Sequence, residues 1–271
     1  MYPQNLHTHG VLCDGKDDYE STVRRALELG FSAIGFSGHS YMPYSPAYGM
    51  SKKKTAQYRA LVNGLKEKYR GRIDVFCGIE FDMYSDDDLC GYDYVIGSLH
   101  YFKRGDRYIG FDRNAEQVQA VIDEEFGGDG MKYAQAYYEE LCHLPEYGKM
   151  DIVGHFDLIT KHSDTHRFFD ENSPQYRAWA LEAVHTLAET IRVFEVNTGA
   201  IARGYRRTPY PAPFILKEIR ELGCGVVIGS DCHDNRYLDC RFQESLELIR
   251  ACGFREVLTL TPRGFTAAPL D

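Results

Sequence analysis

Two runs of sequence decide the fold prediction: DVFCGIEF (residues 74–81) and YDYVIGSLH (residues 92–100). Both are rich in β-branched and aromatic residues, which indicates buried β-strands. The first run carries Glu80 near its end and the second ends in His100, and both side chains can bind metals. About ten residues separate the runs, too few for the crossover helix that usually joins parallel strands. If the sheet closes into a barrel, we expect the barrel to be distorted here.

The same unit recurs along the chain, with helical stretches between the strands. The other predicted strands are 5–9, 33–39, 151–156, 193–197 and 226–231, with a weaker eighth at 257–261. Helix starts are predicted at Asp17 or Asp18, after Ser51, and at Ser173 with Pro174 in the first turn. Strands that alternate with helices are typical of β-α units around a parallel sheet, which is an α/β fold.

The interval 101–148 is longer than the other connections. It has room for a loop, 101–114, and two predicted helices, 115–126 and 131–147. The loop is a candidate lid over a site, with a plain surface insertion as the alternative. We expect residues 1–271 to form a single domain that contains this insertion.

The composition is that of a globular protein and excludes several classes. Of 271 residues, 44% are hydrophobic and 26% are charged, and the formal net charge is −9. A negative net charge without a run of basic residues argues against a nucleic-acid partner. Neither a secretory signal nor an apolar run long enough for a membrane helix is found, so we expect a cytoplasmic protein without a membrane partner. No oligomeric state is predicted.

Polar side chains stand at or just beyond the ends of the predicted strands. They are His7, His9, His39, Glu80, His100, His155, Glu195, Asn197, Asp231 and His233, and Asp14 follows the first strand. Because the carboxyl ends of barrel strands form one face, we expect these groups to meet there. His7 and His9 point to one side of a strand, as do Asp231 and His233 if the backbone stays extended. Burying so many imidazoles and carboxylates without a cation is costly, which favours metal binding over a structural role.

Nine of these residues are candidate metal ligands, more than the four that one zinc ion takes. They are His7, His9, Asp14, His39, Glu80, His100, His155, Asp231 and His233. If Glu80 bridges, they suffice for about three ions with three or four protein ligands each. A mixed shell of imidazole and carboxylate suits Zn, Mn or Fe.

The order and spacing of seven short motifs resemble the polymerase and histidinol phosphatase (PHP) superfamily, and within it the histidinol-phosphate phosphatases. The motifs are HTHGVLCDG (7–15), SGHS (37–40), GIEFD (78–82), GSLHYF (97–102), GHFDLITK (154–161), EVNTG (195–199) and GSDCH (229–233). The resemblance implies a distorted (β/α)₇ TIM-like barrel with a three-metal site at the C-terminal ends of its strands.

The resemblance also implies how the ligands are shared among the ions. One ion would be held by His7, His9, Glu80 and Asp231, a second by Glu80, His100 and His155, and a third by Asp14, His39 and His233.

The expected reaction is hydrolysis of a small phosphorylated substrate, L-histidinol phosphate, by a phosphomonoesterase. Water activated between the ions would attack phosphorus. Arg203 is the first candidate to bind the phosphate and Lys161 the second. Arg206 and Arg207 are the alternatives to Arg203.

The catalytic residues are predicted to be Asp231, His233 and Glu80, with Asp231 or His233 protonating the leaving group. Of three other functions, two stay open and the amidohydrolase is disfavoured. An amidohydrolase would need a metal-bridging lysine at a strand end, where this chain has none. A PHP-type phosphoesterase for nucleotides would share the ligands, and a barrel that binds metal without catalysis would share them too.

Overall fold

A computed structural model describes residues 2–270 of the chain. The strands are β1 (Gln4–Asn5), β2 (Ala33–Phe36), β3 (Asp74–Asp82), β4 (Tyr94–Ser98), β5 (Tyr101–Arg104), β6 (Arg107–Gly110), β7 (Ile152–Val153), β8 (Val193–Asn197), β9 (Gly225–Gly229), β10 (Glu256–Thr261) and β11 (Gly264–Pro269). The helices are α1 (Tyr19–Glu28), α2 (Lys52–Lys68), α3 (Ala115–Phe126), α4 (Gly130–Leu141), α5 (Pro174–Ala188), α6 (Gly199–Ala202), α7 (Pro213–Glu221) and α8 (Phe242–Ala251).

Seven strands form one sheet in the order β1-β2-β3-β4-β7-β8-β9, and all of their pairings are parallel. The sheet curls until its first and last strands meet at their carboxyl ends. There the His9 amide donates to the Cys232 carbonyl at 2.8 Å, and the Cys232 amide donates to the His7 carbonyl at 3.0 Å. The predicted distorted (β/α)₇ barrel is confirmed, and these two bonds hold two of its ligand-bearing motifs side by side.

The irregular places of the barrel are where the connection lengths predicted them. Residues 83–93, between β3 and β4, contain no helix. The connection from β4 to β7 holds a hairpin of β5 and β6, followed by α3 and α4. Phe102 anchors the hairpin, because its buried ring lies 4.8 Å from that of Phe111 and 5.3 Å from that of Phe126, measured between centroids. The single-domain organisation and the lid role stay predictions.

The predicted helix starts are confirmed by their caps. The side chain of Asp18 accepts a hydrogen bond from the Ser21 amide, and the side chains of Ser51 and Ser173 cap α2 and α5 in the same way. The helix predicted at 131–147 is wrong in its length, since α4 ends at Leu141 and a separate 3₁₀ turn covers Leu144–Tyr147. Proline at position 145 explains the break, because its ring clashes with the carbonyl four residues earlier.

Two other predictions need correction. The strand at 257–261 exists, but as β10 it pairs antiparallel with β11 outside the barrel sheet. Several barrel strands are also shorter than predicted; β1 covers two residues, and Thr8 and His39 contact their neighbouring strands through single bridges. Regular pairing between the strands therefore ends before the residues that reach the site.

The inward faces of the strands divide the barrel interior into two parts. At the amino ends, Phe76, Ile96 and Val193 join a buried apolar cluster that Leu260 of β10 completes. Because side chains two or four residues apart share a face, the same strand faces carry Glu80, Ser98 and Glu195 at the other end. The polar site therefore lies above an apolar floor. Within the described residues, no helix has the length and apolarity to cross a bilayer.

Candidate metal centre

The nine predicted ligands meet at the carboxyl end of the barrel, and four of them face one point. The Nε2 atoms of His7 and His9 lie 3.3 and 3.5 Å from Oε2 of Glu80. The same two nitrogens lie 3.7 and 3.3 Å from Oδ1 of Asp231. Atoms bound at about 2.1 Å to one tetrahedral ion are ~3.4 Å apart. This spacing therefore fits a single ion.

The second oxygen of Glu80 faces a different group of histidines. Its Oε1 lies 2.9 Å from Nε2 of His155 and 3.5 Å from Nε2 of His100. Ser98 fixes this oxygen with a donated hydrogen bond of 2.8 Å. The two oxygens of one carboxylate are thus placed so that each could serve a different ion.

A third group surrounds Asp14. Its Oδ2 lies 3.1 Å from Nε2 of His233 and 3.6 Å from Nε2 of His39. His9 stands between this group and the first, since its ring stacks on His233 with 4.0 Å between centroids. The ligand atoms of His9, Asp14, His39 and His233 all lie within 4.8 Å of one another.

Within residues 2–270, five buried atoms of the ligand groups lack hydrogen-bond partners. They are Nε2 of His7, His9 and His39, Oε2 of Glu80 and Oδ1 of Asp14. An unpaired buried polar atom costs about 1–3 kcal/mol, so a cluster of five is unfavourable without a further partner. Imidazole nitrogen and carboxylate oxygen are the donors that Zn, Mn and Fe accept. The residues present therefore fit divalent transition-metal ions.

The outer nitrogens of the histidines are fixed by acceptors. Nδ1 of His7 pairs with Oε1 of Glu195 at 2.8 Å, and Nδ1 of His100 pairs with Oδ2 of Asp82 at 3.1 Å. Nδ1 of His233 lies 2.9 Å from the carbonyl of Asp231. A proton on each Nδ1 leaves the Nε2 lone pair pointing to the centre, which is the usual tautomer of a metal-ligating histidine.

Residues 5–199 match the PHP domain family, which is 72% of the chain. This chain belongs to the PHP domain family. The match contains all of the predicted ligands from His7 to His155, whereas Asp231 and His233 lie beyond it and are brought to the site by the barrel closure.

The similar proteins align with nearly the whole length of this chain. It is 29% identical over 265 residues to a Deinococcus radiodurans protein named "Probable histidinol-phosphatase", covering 93% of this chain and 94% of the relative. The fold of this chain matches that of the Listeria monocytogenes protein hisK (TM-score 0.75, 21% identity), covering 89% of this chain and 99% of the other. It also matches a Lactococcus lactis histidinol phosphate phosphatase solved with zinc, L-histidinol and phosphate (TM-score 0.69, 18% identity, 97% and 98% coverage).

Opposite charges set the protonation of the PHP site. Burial would lower the pKa of His7, but Glu195, Glu80 and Asp231 raise it well above its ordinary value. His39 behaves in the same way, since Glu80 and Asp14 outweigh burial and raise its pKa. Burial would raise the pKa of Glu80, but His39 and His7 hold it well below the usual range.

His9 differs from its neighbours, because burial and the nearby His233 and His39 lower its pKa to about 3. His9 is therefore a neutral imidazole at physiological pH. It is ready to bind a cation without losing a proton.

The backbone at Asp231 is not extended. This corrects the expectation that an extended backbone makes Asp231 and His233 point to the same side. The φ of Asp231 is +47°, in the left-handed region that aspartate tolerates. Arg203 holds it there, with Nη2 donating to Oδ2 at 2.8 Å and Nη1 donating to the Asp231 carbonyl at 3.1 Å. Arg203 and His7 outweigh burial and hold the pKa of Asp231 well below its usual value.

A pocket of about 220 Å³ opens above the ligands. Arg203 and Lys161 both line its wall. Arg206 instead lies buried away from that wall, with Nη1 donating to the Thr160 carbonyl at 3.1 Å, and Arg207 is exposed. Of the predicted phosphate-binding candidates, the structure places only Arg203 and Lys161 in the pocket.

Three carboxylates of the site were not assigned a role from the sequence. Glu195 stands at a predicted strand end, and Asp82 follows Glu80 by two residues in β3, so strand alternation could have pointed to both. Asp112 also lines the pocket, and its Oδ1 accepts a hydrogen bond from Lys161 at 2.5 Å. It follows the β5–β6 hairpin, which the sequence prediction left as an irregular loop.

Proposed function

We propose that this chain is a metal-dependent phosphomonoesterase that hydrolyses L-histidinol phosphate to L-histidinol and phosphate. The observation that carries the proposal is one pocket that is lined by seven of the nine predicted ligands and also by Arg203 and Lys161. Such a pocket offers a phosphate group both bound cations and two positively charged side chains. The names of the similar proteins supply the identity of the alcohol.

We assign three divalent transition-metal ions, Zn, Mn or Fe, to the ligand groups. Glu80 would bridge, with His7, His9 and Asp231 around its Oε2 and with His100 and His155 around its Oε1, as the distances support. Asp14, His39 and His233 would hold the third ion. When bound, such ions neutralise phosphoryl charge and lower the pKa of a water molecule toward neutrality.

The chain's own cations would bind and orient the phosphoryl group. Arg203 is already held by Asp231, so its guanidinium loses little freedom when it binds oxygen. The side chain of Lys161 is only 11% exposed, and it lines the pocket while paired with the carboxylate of Asp112. Together they would exclude water and hold the ester bond over the ligand groups.

Asp231 and His233 are assigned as ligands, and protonation of the leaving group by one of them stays a prediction. The pKa of Asp231 is held well below its usual value, so its carboxyl carries no proton to give. Both ring nitrogens of His233 face acceptors, Oδ2 of Asp14 on Nε2 and the Asp231 carbonyl on Nδ1, so this ring can hold a proton.

A substrate panel tests the function. Protein stripped with a chelator and reloaded separately with Zn, Mn or Fe is given histidinol phosphate, sugar phosphates, nucleotides and phosphotyrosine. We expect histidinol phosphate to be cleaved with the highest kcat/KM and the stripped protein to be inactive. A nucleotide preferred by orders of magnitude would reassign the substrate, and inactivity of every loaded form toward every ester would refute the phosphatase.

A further inference from the structure

Asp112 differs from the other carboxylates of the pocket. Four carboxylates line it: Asp14, Glu80, Asp112 and Asp231. Three of them form ion pairs with histidines of the ligand groups. Among residues 2–270, Asp112 pairs with Lys161 instead. It is therefore the pocket carboxylate that the metal sites do not use.

The surroundings of Asp112 hold its carboxylate at the pocket wall. Its side chain is 17% exposed, and Oδ1 lies 2.5 Å from Nζ of Lys161. The Tyr48 hydroxyl lies 3.5 Å from Oδ2, and Nζ of Lys161 lies 4.5 Å from the ring centre of Tyr205. Burial would raise the pKa of Asp112, but Lys161 together with His100 and Arg203 holds it well below its usual range. Asp112 is thus an anion beside the side chain proposed to bind phosphate.

We propose that Asp112 binds the protonated amino group of the leaving alcohol and so determines the specificity of this phosphatase. The inference rests on the proposed function. In histidinol phosphate the amino group is on the carbon next to the one that bears the ester oxygen, so it is the substrate cation nearest to the phosphoryl group. The imidazole is farther along the molecule and is mostly neutral at pH 8.

Charge balance gives the proposal its physical reason. When Lys161 turns toward a phosphoryl oxygen, Asp112 loses part of its ion pair with Lys161. A carboxylate that is largely withdrawn from water is destabilised by that loss. A substrate ammonium restores the pairing, whereas an ester with an uncharged alcohol does not. Discrimination therefore arises from the unpaired carboxylate that the wrong substrate leaves behind.

A rival role for Asp112 is to orient Lys161 without touching the substrate. The two roles predict different results for a pair of esters that differ only in the amino group. The suitable pair is L-histidinol phosphate and its desamino analogue, 3-(imidazol-4-yl)propyl phosphate. A positioning role would affect both esters equally, because both present the same phosphoryl group to Lys161.

The experiment compares Asp112→Asn with the wild type on both esters at pH 8 in the metal-loaded protein. We expect kcat/KM for histidinol phosphate to fall about 10–100-fold and kcat/KM for the analogue to stay the same or rise, because Asp112→Asn also removes the carboxylate that the analogue leaves unpaired. Asp106→Asn is the matched control, since it removes a carboxylate from the exposed hairpin turn, and it should leave both values unchanged. Metal content and thermal midpoint of Asp112→Asn verify that the variant is folded and loaded.

The outcomes separate this inference from the proposed function. Equal losses on the two esters, or no loss on either, would overturn the role of Asp112 while the phosphatase stands. A wild-type protein that cleaves the analogue as fast as histidinol phosphate would overturn it too. If the wild type cleaves neither ester but hydrolyses another phosphate, the proposed function fails, and the inference fails with it.

Discussion

Glu80 is the residue that connects two of the proposed metal sites, because each of its oxygens faces a different set of histidine nitrogens. Replacing it with glutamine keeps the shape and removes the charge. We expect Glu80→Gln to lose about two equivalents of metal, since two ions share this carboxylate, and to be inactive. Metal analysis after gel filtration measures the first effect. Glu124→Gln, on the exposed face of α3, is the control, and an unchanged metal content in Glu80→Gln would refute the bridging role.

Glu195 is not a proposed metal ligand, but it contacts two residues that are. It accepts from Nδ1 of His7 and from the backbone amide of His155, so it orients two proposed ligands at once. Loss of such an outer carboxylate weakens metal binding about 10–100-fold. We expect Glu195→Gln to show that loss in a chelator competition. The exposed Glu256→Gln should bind metal like the wild type, and equal affinities for both variants would contradict the orienting role.

Arg203 and Arg207 offer a matched comparison, because they are close in sequence but only Arg203 lines the pocket. We expect Arg203→Met to lower kcat/KM about 10–100-fold through the lost charged hydrogen bonds to phosphate. Arg207→Met should change it little. Inhibition by inorganic phosphate separates binding from folding, since Arg203→Met should also raise the inhibition constant. An unaltered inhibition constant would move the phosphate site elsewhere.

At the scale of elements, the sequence predicted well which residues follow the strands and predicted the β4–β7 connection poorly. His7, Glu80 and His155 could be predicted because each stands near or just beyond the carboxyl end of a barrel strand, which has one possible location in the fold. Asp112 could not, because its position depends on a hairpin outside the repeat. Glycine followed by aspartate between two aromatic runs was a usable signal, since Gly105 has φ +60° at the first position of a two-residue turn.

The β10–β11 hairpin closes the end of the barrel opposite the site. Leu260 is 6% exposed and packs with the inward apolar residues of the strands. Truncating a buried leucine costs about 2–5 kcal/mol, so we expect Leu260→Ala to lower the free energy of unfolding by that amount in a urea titration. Arg263→Ala, in the exposed turn of the same hairpin, should cost less than about 0.5 kcal/mol. A stable Leu260→Ala variant would show that the hairpin does not close the core.

At the scale of the whole molecule, the site exists only when the barrel is complete. Its proposed ligands come from separate connections along the chain, and the last two, Asp231 and His233, join the first two through the backbone bonds of Cys232. Folding therefore gathers several carboxylates and imidazoles that could bind a cation together. Metal binding and folding are thus linked, and the link includes protons.

The sign of that proton linkage follows from the metal-free site. The pKa values of His7 and His39 lie well above 6.5 because carboxylates surround them, so both rings are protonated at pH 7. Their ion pairs stabilise the metal-free fold at low pH, and this contribution is lost as pH rises through the raised pKa values. Metal ligation needs the neutral rings, so metal binding must release these protons, and the apparent affinity must increase with pH until both rings are neutral.

Calorimetric titration of stripped protein with Zn²⁺ at pH 7 measures the release directly. In buffers of different ionisation enthalpy, the observed heat should vary with a slope that corresponds to a net release of protons, and the slope should shrink at higher pH as the rings lose their protons beforehand. His9, with its pKa lowered to about 3, adds nothing to this release. Removing the Glu195 charge that helps to raise the pKa of His7 should reduce the release, so Glu195→Gln is the internal control. Heats that do not depend on the buffer would mean that the histidines are already neutral, and that the carboxylates do not control the site as described.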